Sequence, residues 1–203
     1  MTKLYLLRHG QSEWNILNKV QGQEDTELTD KGIKQAKQAA DRLYNEEIDL
    51  IYTSDLKRAY ETAKIVGNKL KLDINKVEGL REINFGIWQG LNLDEIKKDY
   101  EEEYSLWRKE PHKLNLETAE KLSELQDRML KTVNDLIMRN PNKNILLVSH
   151  GTAIKALILG ILDIDISKYN KITIGNVGLS IIEFREFSPV IKVLNDTNHV
   201  RED

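Results

Sequence analysis

What most limits the folds open to this chain is an alternation of two kinds of segment. Short, almost wholly apolar runs end abruptly in loops, and longer segments between them carry apolar residues at three- and four-residue steps. The run KLYLL (3–7) stops at Arg8-His9-Gly10. After Thr29, a candidate N-cap, the residues Ile33, Ala36, Ala40 and Leu43 predict one face of a helix. IDLIY (48–52) predicts a second strand. Ser54 is then placed to cap a helix whose apolar face is Leu56, Ala59, Ala63, Val66 and Leu70. Leu122, Leu125, Met129, Val133 and Ile137 mark a further helix, which the Asn140-Pro141-Asn142 turn ends before the apolar run ILLVS (145–149). His150-Gly151 follows, then a helix over 152–162 and two late strands, SIIEF (180–184) and VIKVL (190–194). Strands that are apolar throughout and alternate with helices imply an α/β three-layer sandwich, with a mainly parallel central sheet and helices on both faces.

The 203 residues predict a single domain, 1–203. Between about 84 and 117 the periodicity degrades into Gly86, Gly90, the acidic run Glu101-Glu102-Glu103, and Trp88 and Trp107 among charges. This stretch is expected to be a small lid insertion lying over the end of the sheet. The absence of cysteine removes a thiol nucleophile, a thiolate metal site and a disulfide framework. With 30 Lys and Arg against 33 Asp and Glu, the net charge of -3 gives no reason to expect a nucleic-acid or membrane partner. The apolar run at Leu4–Leu7 is too short for a signal peptide, and no run approaches the roughly 18 apolar residues of a bilayer span, so a cytoplasmic location is expected.

Two apolar runs share an ending, LYLLRHG and ILLVSHG, in which a histidine is followed by glycine. The carboxyl ends of parallel strands lie along one edge of a sheet, so His9 and His150 are expected to meet in one crevice. Either histidine alone is as readily explained as a strand terminator bonded to a loop carbonyl. His112 and His199, the other two, lie in polar segments and read as surface residues. Arg8, and Arg58 near the start of the helix after IDLIYTS, bring guanidinium groups to the same edge, where forked donors and helix N-termini suit a phosphate. Taken singly, Arg58 beside Lys57 reads as a solvated helix residue.

The blocks LLRHGQSEWN, QGQEDTELTDKGIKQA, SDLKRAYETA, LREINFGIWQG and VSHGTAIKALI, in this order, resemble the histidine phosphatase superfamily in its phosphoglycerate mutase-like branch. They cover most of the chain, and LNDTNHV is similar to the tail of the small phosphatases of that branch. The resemblance implies a phosphomonoester hydrolase acting on a small phosphorylated metabolite through a phosphohistidine, with no cofactor and no metal. His9 is then the nucleophile and Glu82 the general acid and base. Arg8, Asn15, Arg58 and His150 bind the phosphoryl group, and Gln21 and Gly22 line the substrate loop. A charged His150 and the two arginines are expected to lower the pKa of His9 by like-charge repulsion. Glu82 also has a plainer reading, as a surface carboxylate paired with Arg81.

The chain departs from mutase members in having Gln23 after Gly22 and a short insertion, so it resembles the phosphatase side. It departs from many relatives in carrying Thr118-Ala119-Glu120-Lys121 where they have Gly-Gly-Glu-Ser, and Gln89 where glutamate is common. Both changes fall on the expected lid and bear on substrate choice. Three other readings compete: phosphoglycerate mutase activity, a non-catalytic phospholigand-binding regulator, and a magnesium-dependent phosphatase with Asp163 of DIDIS as nucleophile. Oligomeric state is not encoded in any of these motifs.

Overall fold

The structure, a computed structural model, describes residues 1–201; the last two residues of the expected 1–203 unit lie outside them. The strands are β1 (Thr2–Arg8), β2 (Leu50–Thr53), β3 (Ile74–Lys76), β4 (Ile145–Ser149), β5 (Leu179–Phe184) and β6 (Pro189–Asp196). They form one sheet in the order β3-β2-β4-β1-β5-β6. The β3-β2, β2-β4 and β4-β1 pairs are parallel, and the β1-β5 and β5-β6 pairs are antiparallel. The helices are α1 (Glu13–Ile16), α2 (Asp30–Leu43), α3 (Lys57–Leu70), α4 (Leu93–Asp99), α5 (Glu101–Lys109), α6 (Leu122–Arg139) and α7 (Gly151–Ile161).

The alternation of side chains along β1 explains why helices cover both faces. Leu4 and Leu6 point into one buried cluster with Met129, Val133, Leu147 and Leu157, under α6 and α7. Tyr5 and Leu7 point into the other with Ala40, Leu43, Ala63 and Val148, under α2 and α3. A strand buried on both faces has no polar side to show, which is why these runs are apolar throughout.

Thr29 caps α2 as expected, accepting from the Gly32 N–H. Ile33, expected on its buried face, is 38% exposed, and Ala39 joins Ala36 and Ala40 inside. The α2–α3 contact needs small residues at that level. The second strand begins two residues later than expected. Ser54 does not cap α3: Leu56 occupies the N-cap, and the Ser54 hydroxyl accepts the Leu56 N–H in the turn before it. Within 84–117 lie α4, α5 and a third small core in which Trp88 is fully buried beside Ile96 and Leu116.

No helix among the described residues is long and apolar enough to cross a membrane.

Candidate active site

The register of the central strands creates the site. Arg8 on β1 is paired with Ser149 on β4, so the next residue of each strand, His9 and His150, emerges at the same level of the same edge. Their ring centroids are 5.2 Å apart and inclined by 60°. The edge falls where the chain order jumps, with β4 inserted between β1 and β2, the usual place for a ligand crevice in such sheets.

His9 is almost wholly buried. Its Nδ1 lies 2.7 Å from its neighbour's carbonyl, Gly10 O, so Nδ1 donates and Nε2 keeps the lone pair. The loop is locked from three sides: His9 N–H donates to Ser149 O, Gly10 N–H donates to Thr62 Oγ1, and Asn176 Nδ2 donates to His9 O. Gly10 has no room for a side chain, because a Cβ there would stand 2.4 Å from Gly32 O at the start of α2.

Arg58, with 1% of its surface exposed, is no solvated helix residue. Its Nη1 donates to Glu24 O and its Nη2 to Gly22 O, both at 2.7 Å. Gly22 can serve because its φ is +52° and a Cβ would fall 2.0 Å from Gln89 Oε1. Arg8 Nη1 donates to Ile174 O at 2.7 Å. The remaining edges are the informative part. Arg8 Nε, Arg58 Nε and both ring nitrogens of His150 are buried without a hydrogen-bond partner in the chain. Buried polar atoms are normally paired, so a cluster of them around one histidine calls for an anion.

Burial pushes the His9 imidazole well below its ordinary pKa, and the positive charges of Arg58 and Arg8 push it further. His150 moves the same way, again chiefly through burial, with Arg58 next. The expectation of a charged His150 is therefore corrected: beside two arginines and out of water, the neutral ring is favoured, and burial outweighs charge repulsion in lowering His9. Arg58 falls to about 10 through burial, opposed by Glu82, and stays cationic at neutral pH.

Glu82 does not pair with Arg81, which binds Asp55 and Glu78 instead. Its carboxylate accepts the N–H groups of Thr152 (3.1 Å), Ala153 (2.9 Å) and Ile83 (3.0 Å). The first two belong to the opening turn of α7. His150 is the N-cap of that helix and makes no side-chain cap bond, so Glu82 caps it from a distant part of the chain and leaves His150 turned to the crevice. Asn15 Oδ1 accepts from Ser12 N–H and Asn176 Nδ2, which turns its own Nδ2 donor outward. Gln21 Oε1 receives the hydroxyls of Ser12 and Thr26 within its loop.

Three residues that sequence reasoning passed over adjoin this group. Lys155, half-buried on α7, holds Nζ 3.5 Å above the Tyr169 ring, and its pKa falls to about 8 through burial despite the opposing charge of Glu82. Tyr169 OH donates to Thr152 Oγ1 and its ring adjoins Trp107. Arg128 reaches the Glu82 backbone from α6. A helical lysine at a three-residue step from Thr152 gives no sign in sequence that it faces inward. Two histidine readings also change: His199 has both ring nitrogens buried and His112 has one, so neither is a simple surface residue. Asp163 lies beyond the far end of α7, about 16 Å of helix from His150, and takes no part in the crevice. Among the described residues no group of three or more His, Asp or Glu side chains is placed to hold a metal ion.

Residues 4–197 match the model of the histidine phosphatase superfamily, branch 1. The chain is 35% identical over 202 residues to phosphoserine phosphatase 1 of Hydrogenobacter thermophilus, covering all of this chain and 96% of that one. It is 32% identical over 210 residues to a probable phosphoglycerate mutase, GpmB, of Yersinia pestis, covering 98% and 95%. Among solved structures it resembles YhfR of Bacillus stearothermophilus, with a TM-score of 0.94, 32% identity and 98% and 99% coverage. It also resembles a mutant of the phosphoserine phosphatase of Entamoeba histolytica in complex with phosphoserine, with a TM-score of 0.89, 36% identity and 99% and 100% coverage.

A doubly covered α/β sheet with two histidines and two arginines at one edge defines an enzyme of phosphoryl transfer. The chain belongs to the histidine phosphatase superfamily, branch 1, as a phosphatase of small phosphorylated metabolites that works through histidine.

Proposed function

We propose that His9 Nε2 attacks the phosphorus of a phosphomonoester and that water then hydrolyses the phosphohistidine. The observation that carries this reading is the ring of unpartnered buried donors, Arg8 Nε, Arg58 Nε and His150, around a histidine whose Nδ1 is already committed to Gly10 O. Arg8, Arg58, His150 and the Asn15 amide hold the phosphoryl oxygens and stabilise the charge that grows on them. Both arginines already spend Nη groups on backbone carbonyls, so their forks are fixed before substrate arrives. His150, neutral in the free crevice, gains stability as a cation once a phosphate dianion sits against it. Glu82 enters as the carboxylic acid and protonates the departing alkoxide, and the carboxylate so formed takes a proton from the attacking water, which restores the acid. Gln21 and Gly22 shape the substrate loop, Gly22 also by seating Arg58.

The segment 84–117 forms the lid of this site within a single domain, supported by its small Trp88-centred core. The substrates are small phosphomonoesters with a further negative charge. Phosphoserine, bound by a structural relative, carries a carboxylate, and Lys155 is a half-buried cation with no acidic partner within 4 Å among the described residues. A cytoplasmic setting, where phosphorylated metabolites are made and kept, belongs to the proposal. A panel of phosphomonoesters assayed for phosphate release in excess EDTA tests it: anionic alkyl phosphates such as phosphoserine are expected to lead. No hydrolysis of any member by folded protein would leave the phospholigand-binding reading.

The mutase reading draws on the likeness to GpmB. It predicts interconversion of 2- and 3-phosphoglycerate with little phosphate release. Dominant phosphate release from either isomer would exclude it.

A further inference from the structure

The carboxyl group proposed as acid and base is carried by a loop with little regular structure, a 3-10 turn at Glu78–Leu80 running into extended backbone. Something must fix that loop to a fraction of an ångström, because proton transfer fails steeply with misplacement. The fixing group is on α6. Arg128 Nε and Nη2 each donate to one oxygen of Glu120, both at 2.8 Å, in a planar forked pair. Its outer edge turns to the loop backbone: Nη1 donates to Gly79 O (2.9 Å) and Arg81 O (3.1 Å), and Nη2 to Glu82 O (3.3 Å). All the N–H donors of the guanidinium are thereby used, three of them on the carbonyls leading into Glu82.

Glu120 completes the clamp from the other side. Its N–H donates to Asn84 O at 2.8 Å, and its Oε2 lies 3.4 Å from the Asn84 N–H. Glu82 is thus flanked by residues tied to the same ion pair. One turn further along α6, Thr132 presses on the loop so closely that a Cβ at Gly79 would meet its Oγ1 at 2.1 Å. The reading of Arg128 as an ordinary surface salt bridge does not account for three bonds to consecutive parts of one catalytic loop. Exposed pairs contribute little to stability, and this one is only a quarter exposed.

We propose that Arg128, held by Glu120, is a positioning residue for Glu82: it sets the backbone of 79–82 so that the carboxyl group meets both the α7 N-terminus and the leaving oxygen. The inference rests on Glu82 acting as acid. The hydrogen bonds of Arg128 go to Glu120 and the loop carbonyls and none to His9, Arg8, Arg58 or His150, so its loss should weaken the acid step far more than phosphate binding. A lysine has no planar fork and cannot reach Glu120 and three carbonyls together.

The test compares kcat/KM for phosphoserine, whose alkoxide needs a proton, with that for p-nitrophenyl phosphate, whose leaving group hardly does. Arg128→Met and Arg128→Lys should each lose at least about 30-fold on phosphoserine and less than about 5-fold on p-nitrophenyl phosphate, with a cooperative melting transition retained. Glu120→Gln should show the same pattern more weakly, and it decides the matter should the Arg128 variants fail to fold. Glu82→Gln, measured alongside, should show the pattern most strongly. Equal losses on both substrates, or no loss in folded protein, would make Arg128 structural and overturn the inference. If Glu82→Gln shows the leaving-group pattern and the Arg128 and Glu120 variants do not, the inference alone fails; if Glu82→Gln lacks it, the acid assignment falls and the inference with it.

Discussion

At the scale of single residues, the site works by withholding partners. His9 has one nitrogen tied to Gly10 O, and Arg8 and Arg58 have donors tied to carbonyls, so what remains points at one place. Arg58→Ala should therefore lower kcat/KM by at least about 100-fold, and Arg58→Lys should recover little of it, since a point charge cannot replace a seated fork. Near wild-type turnover by a folded Arg58→Ala protein would remove it from the phosphate site. The low pKa of His9 makes a second prediction. As the proposed nucleophile His9 must be unprotonated, and burial with Arg58 and Arg8 nearby keeps it so below its ordinary range. The acid limb of kcat/KM that belongs to His9 should thus lie well below pH 6.5 and move upward in Arg58→Ala. A limb that stays put in the variant would deny the arginine its electrostatic part.

At the scale of elements, the telling feature is that α7 begins at His150, the proposed phosphate ligand, and is capped by the proposed acid. Glu82→Ala removes an acceptor shared by the Thr152 and Ala153 N–H groups and should destabilise the fold by about 1–2 kcal/mol in urea. Glu82→Gln keeps one acceptor oxygen and should cost less, which separates capping from catalysis. Much at this scale was legible in sequence. ILLVS is strand over its whole predicted length because a strand buried on both faces leaves an unbroken apolar run. Ile74–Lys76 escaped because a three-residue edge strand containing Asn75 and Lys76 has no such run. Thr118, at φ +57°, shows that the segment before α6 holds a left-handed turn without the glycine that favours one.

At the scale of the whole molecule, strand register does the catalytic assembly. His9 and His150 were legible as a pair because two apolar runs share one ending, and the sheet order then brings them to one edge. The burial of Arg58, the cap by Glu82 and the clamp by Arg128 were not legible, because each is a contact between elements far apart in sequence, made by a charged residue on a helix or loop that reads as solvated. Concentrating buried imidazoles also has a thermodynamic consequence. His9 and His150 both have folded-state pKa values depressed below the unfolded value, so the unfolded chain binds more protons once pH falls beneath about 6.5. Stability present above that pH should fall as pH drops through it, approaching about 1.4 kcal/mol per pH unit for each imidazole. Urea melts between pH 7 and 5 should show this slope, and His150→Asn should flatten it. An unchanged slope in the variant would mean that His150 titrates in the fold as it does in the unfolded chain.

The measurement that bears most directly on the account is rapid quenching into alkali during turnover of a phosphorus-labelled substrate. Phosphohistidine survives base and decays in acid, so the label should stay on the peptide containing His9 and vanish on acidification. Label on an aspartate peptide, or an active enzyme that never holds label, would contradict the mechanism.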